Sequence, residues 1–129
     1  MRYCMQQRDS HFRMAAEKLP AALAAVQALA EQKTSFQWVD SNFARQASTV
    51  AEILEAWRWE GEFDPITGDL TDIHFIGEKL GDEEILFQAL APFVDKGSFI
   101  EMQGEDGDLW RWTFDGQQMI EQVARITWG

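Results

Sequence analysis

Two stretches of this sequence carry the same short words in the same order. Residues 11–59 contain His11-Phe12, Glu17-Lys18-Leu19, Gln27-Ala28-Leu29-Ala30, Ser35-Phe36 and Trp57-Arg58-Trp59. Residues 74–112 contain His74-Phe75, Glu78-Lys79-Leu80, Gln88-Ala89-Leu90-Ala91, Ser98-Phe99 and Trp110-Arg111-Trp112. The step from the leucine of the second word to the glutamine of the third is eight residues in both copies. Such a repeat predicts two related units about a pseudo-twofold. It does not predict a solenoid, because two copies are too few to stack into a continuous core.

Hydrophobic periodicity fills in the units. At 10–16, Phe12, Met14 and Ala16 alternate with His11 and Arg13, the period of a strand. Pro20 suits a first helical position, and the helix predicted over 20–32 carries Leu19, Leu23, Val26 and Leu29 as its apolar stripe. A short strand is expected at 35–39. Asn42 or Ser48 can cap a further helix ending near Ala56, with Val50, Ile53, Leu54 and Trp57 on one side; the second copy has no counterpart.

A strand over 57–64 would put Trp57, Trp59 and Phe63 on one face and Arg58, Glu60 and Glu62 on the other. The Pro65–Gly68 turn leads into a returning strand at 70–76, with Ile73 and Phe75 opposite Asp72 and His74. A helix opening on Asp82-Glu83-Glu84 is expected to end or kink at Pro92. Strands follow at 98–103, 109–114 and 119–128, with hairpin turns at 104–107 and Asp115-Gly116.

The fold class expected is therefore α+β. One domain spans 1–129, with internally duplicated βαββ-type units at about 10–69 and 70–129. They form one largely antiparallel sheet with helices packed on one face. Alanine-rich helices let backbone approach the sheet, and the tryptophans then fill the remaining volume. Trp57, Trp59, Trp110 and Trp112 are accordingly expected mostly in the core.

Charge narrows the partners. The net charge is −11, and it is concentrated: residues 52–108 hold 16 Asp/Glu against 3 Lys/Arg, a local −13. This field disfavours nucleic acid and anionic lipid and favours cations or basic proteins. A lone cysteine, Cys4, excludes an internal disulfide and a multi-cysteine zinc site. No apolar run reaches the length of a membrane span, and residues 1–8 lack the apolar centre of a signal peptide, so a cytoplasmic location is expected.

Catalytic signatures are missing. The sequence has no phosphate-cradling glycine loop, no nucleophile elbow and no HExxH pair, and its serines show no partner spacing with histidine. The acidic loop at 77–84 lacks the ligand alternation of a calcium loop, and the one at 104–108 reads either as a weak cation loop or simply as a hairpin turn. No catalytic residue, metal or cofactor is assigned, and an enzyme is less expected than a binding protein. The candidate contact residues are the charged strand positions Arg58, Glu60, Glu62, His74, Glu101 and Arg111, with Trp59 and Trp112 added if the tryptophans line a groove. The arginines are expected to pair with strand-face acids such as Glu60, Glu62 or Glu101, at about 0–1 kcal/mol each.

Three resemblances attach to these residues. The paired His11 and His74 loosely resemble the first-strand ligands of glyoxalase-like metalloenzymes. That site would also need carboxylates such as Glu62 and Glu121, and two solvent-face histidines account for the pattern equally well. The segments GEKLGDEEILFQALAPFV, GSFIEM, GEDG and WRWTFDG resemble a group of small bacterial proteins of uncharacterised activity. The inferred topology is similar to the duplicated βαββ effector-binding, gyrase-inhibitor-like domains, many of which hold organic cations with aromatics and a carboxylate. The function expected is a non-enzymatic acidic module binding a basic protein partner, as an inhibitor, immunity-like factor or adaptor. The alternative is an organic-cation binder with a Trp/Glu-lined groove. A homodimer is compatible with either.

Overall fold

Polar residues at the start of the chain form the first strand, where no apolar alternation marks one. The computed structural model describes residues 5–32, 46–77, 82–105 and 107–124. Within them, β1 (Met5–His11) precedes α1 (Leu19–Gln32), α2 (Val50–Ala56), β2 (Trp59–Phe63) and β3 (Leu70–Phe75). Then come α3 (Glu83–Leu90), β4 (Phe99–Gly104), β5 (Leu109–Phe114) and β6 (Met119–Val123). The expected strand at 35–39, the loop at 78–81 and the end of the last strand past 124 lie outside the described residues.

The class is α+β, and every strand pairing among the described residues is antiparallel. The ladders divide in two: a four-stranded sheet in the order β1-β4-β5-β6, and the β2-β3 hairpin. Beyond His11 the chain stays extended without a ladder. Phe12 and Met14 are fully buried, so the alternation expected at 10–16 is real although the paired strand ends at His11. Met14 exchanges backbone hydrogen bonds with Leu70, at 3.0 and 2.9 Å, which lays the end of this segment against the start of β3.

The helices begin and end for local reasons. Thr49, rather than Ser48, caps α2, and Asn42 lies outside the described residues: the Thr49 hydroxyl accepts from the Glu52 amide at 3.2 Å, while Glu52 accepts from the Ser48 amide at 3.1 Å. This reciprocal arrangement satisfies amides that the first helical turn leaves without partners. Pro92 does end α3 early, which tightens into a 3-10 turn over Ala91–Phe93. The two repeated glutamines perform the same task. Gln27 donates to the Ala47 carbonyl at 2.7 Å and Gln88 to the Met119 carbonyl at 2.9 Å, each tying a helix to a neighbouring segment.

The two Trp-Arg-Trp words do not share a conformation. Trp110 to Trp112 run within β5. Trp57 instead caps the end of α2, and Arg58 takes a left-handed φ of 68°. That position commonly terminates helices and favours glycine. The strand expected from 57 therefore starts at Trp59, because the chain must reverse out of the helix first.

A single apolar cluster joins the inner faces of the strands to the helices. Trp59 is 0% exposed and Trp112 2%. Phe87 of α3 lies between them, its ring centre 5.3 Å from Trp59 and 5.0 Å from Trp112. The Trp59 indole nitrogen is buried and meets no hydrogen-bond partner among the described residues. Such an orphaned donor costs about 1–3 kcal/mol.

Trp59→Ala is expected to lower the unfolding free energy by about 3–5 kcal/mol. Trp59→Phe keeps an aromatic ring, removes the orphaned donor and should cost well below that. Urea denaturation of both variants checks the ordering.

Candidate functional site

The division between the two sheets creates a concave feature. The Gln7 side chain crosses the gap: its Oε1 accepts from the Phe75 amide at 2.6 Å and its Nε2 donates to the Ile73 carbonyl at 2.8 Å. One side-chain amide thus replaces a peptide unit in the missing ladder. The same Nε2 lies 2.8 Å from Ser10 Oγ, and Ser10 donates in turn to Asp72 at 2.9 Å. The register of β1 on β4 shifts between Gln7 and Asp9, which makes Arg8 a bulge. Bulges bend a strand and re-aim its side chains.

Beside this seam lies a cleft of about 590 Å³. Residues 5–10 form one wall, and Asp72, His74, Phe75 and Gly77 form the other. The volume is that of a small-ligand site, about 300–1,000 Å³. Its lining is mostly polar, which fits a charged or hydrophilic occupant better than an apolar one.

The hairpin presents an acidic outer face at the rim of this cleft. In the β2–β3 register Glu60 is opposite His74 and Glu62 is opposite Asp72. His74 Nε2 lies 3.1 Å from Glu62 Oε2. One ligand-type atom each from Glu62, Asp72 and His74 lies within 4.8 Å of the others. The strand period produces this cluster, because residues two apart share a face and cross-strand partners sit side by side.

The sequence-derived candidates therefore separate into groups. Glu60, Glu62 and His74 come together. Glu101 and Arg111 are register partners on β4 and β5, joined at 2.7 Å, with Arg111 over the Phe99 ring at 5.2 Å. Arg58 is exposed at its left-handed corner. Trp59 and Trp112 are buried in the core and so present no contact surface. His11 is exposed opposite Phe99 and is not among the grouped ligand-type atoms of Glu62, Asp72 and His74.

Sequence reasoning placed Asp72 on the His74 face without naming it as a site residue; its parity with His74 was the available signal. Gln7 and Ser10 gave no signal, since their role depends on a contact across more than sixty residues. Arg13 was missed as a junction. It binds Asp69 at 2.6 Å and Asp95 at 2.7 Å, joining the start of β3 to the segment before β4. The Ala16 amide, followed by Thr67 and Arg13, holds the Asp69 carboxyl below its ordinary value.

A second acidic junction lies at Glu84 and Glu121. Glu121 accepts from the Trp112 indole at 3.2 Å. Its charge, then partial burial, raises the Glu84 carboxyl above the usual glutamate value.

No protein-family model, curated protein sequence or solved structure matches this chain.

Because the folded-state Glu84 value is raised, its stabilising contribution is complete below about pH 4.3 and is lost as pH rises through the folded value. Glu84→Gln is expected to raise the melting temperature at pH 7 by the equivalent of up to about 0.5 kcal/mol. The gain should vanish at pH 4. Paired thermal melts at the two pH values measure it.

Proposed function

We propose that this protein is a non-enzymatic binding module that takes a basic segment of a protein partner, acting as an inhibitor, immunity-like factor or adaptor. The working surface is the outer face of the β2–β3 hairpin together with the adjoining cleft. The observation that carries this reading is the grouping of Glu60, Glu62 and Asp72 on one face. Neither β2 nor β3 contains a lysine or arginine to neutralise them. Glu101 pairs with Arg111 at 2.7 Å and reaches Arg8 of the cleft wall at 4.0 Å, and neither Glu101 nor Arg111 lines the cleft. A negative face of this kind speeds and orients encounter with a positive partner more than it adds raw affinity.

The second reading is a small organic cation held in the seam cleft. The cleft's size and its pairing of Asp72 with Phe75 favour it. Trp59 and Trp112 are core residues and line no groove, whereas Trp110 shares a smaller pocket of about 270 Å³ with Glu101 and Arg111. No helix of the described residues is long and apolar enough to cross a membrane, and a cytoplasmic location remains part of the proposal.

A peptide array spanning acidic, neutral and basic sequences tests the leading reading. Bound peptides should be rich in Arg and Lys, and their affinity should fall steeply with salt. The Glu60→Gln/Glu62→Gln double variant should weaken binding by about tenfold, while Arg111→Gln should not. Binding without basic preference, or unchanged in the double variant, contradicts the proposal.

A further inference from the structure

We propose that Glu62, Asp72 and His74 form a binding site for a divalent transition-metal ion at the rim of the seam cleft. The inference uses the same hairpin face as the partner reading but does not depend on it.

Geometry is the first support. Two ligands about 2.1 Å from a common ion, at angles between octahedral and tetrahedral, are separated by about 3.0–3.4 Å. His74 Nε2 and Glu62 Oε2 are already 3.1 Å apart. The third ligand-type atom, from Asp72, lies within 4.8 Å of both. Metal binding would draw these three atoms, now within 4.8 Å of one another, onto one centre. The ladder supplies the spacing: Asp72 is the register partner of Glu62, and His74 follows two residues later on the same face. Ligands carried by paired strands are held more exactingly than ligands on a loop.

The surroundings provide the second support. Asp72 is half-buried, and Ser10 Oγ of β1 donates to its Oδ1 at 2.9 Å. A hydrogen bond from outside the ligand set orients a carboxylate and sharpens metal affinity. Glu60, opposite His74, adds negative charge without joining the group.

The donor set specifies the kind of ion. One imidazole and two carboxylates suit zinc, cobalt, nickel or manganese better than magnesium or calcium, which prefer all-oxygen shells. Three protein ligands leave at least one coordination position for water or for a group entering from the cleft. His11 is not part of this site, so the site does not require the two repeated histidines to meet.

Calorimetric titration of the chelator-treated, full-length protein with zinc chloride at neutral pH tests the proposal. One saturable site is expected. Glu62→Gln, Asp72→Asn and His74→Ala should each weaken it by about tenfold or more, whereas His11→Ala should leave it unchanged. All four positions are exposed or half-buried, and circular dichroism confirms that each variant is folded. A wild-type protein that takes up no zinc, or a His74→Ala variant that binds as well as wild type, overturns the proposal. Zinc is titrated with no peptide present and peptides are tested with chelator present, so either reading can fail alone.

Discussion

The contact between β1 and β3 runs through the side chain of Gln7. β3 is held against the core by buried Leu70 and Ile73, while β1 is polar and is followed directly by the buried Phe12 and Met14, so the two strands cannot separate freely. Yet among the described residues the backbone bridge between these stretches is at Met14, past the end of β1, and Leu70. Beyond that bridge, β1 bulges at Arg8 and leaves the β3 backbone unpaired toward it. Exposed peptide groups at such an edge need partners. The Gln7 amide supplies a donor and an acceptor with the spacing of a peptide, at 2.8 and 2.6 Å. A six-strand arrangement is thereby held together with an opening along its middle.

The opening has chemical consequences because of what the register places beside it. Ser10 extends the Gln7 link to Asp72, and Asp72 is the partner of Glu62. The same contacts that join the sheets thus position the acidic face at the cleft rim. Arg13 fixes the other end of β3 through Asp69, near the Met14–Leu70 bridge. The hairpin is anchored at both ends of β3, while Glu60, Glu62 and His74 face solvent. Partner binding and metal binding both draw on this fixed, strongly acidic surface.

Much of the burial pattern was legible in the sequence. Phe12 and Met14 alternate with exposed His11, the apolar side of α2 reads directly from Val50, Ile53 and Leu54, and Pro92 stops α3. Each of these is a local consequence of period or backbone chemistry. The start of β1 was illegible because Met5-Gln6-Gln7-Arg8-Asp9-Ser10 lacks an apolar rhythm, its polar residues being used at the seam. Arg58 was misread as a strand residue because alternation of side-chain type cannot reveal a left-handed φ. The repeated Trp-Arg-Trp word concealed that difference. The acidic face was half-visible: Glu60, Glu62 and His74 stood out by strand parity, but the addition of Asp72 through Ser10 required the long-range register.

Native-state hydrogen exchange at the Phe75 amide tests the seam most directly. If the Gln7 side chain replaces a ladder peptide, this amide should be strongly protected in the wild-type protein. Gln7→Ala should remove that protection and leave the β4–β5 amides protected. A Phe75 amide that exchanges at unprotected-chain rates in the wild type, with the β4–β5 amides still slow, would contradict the account.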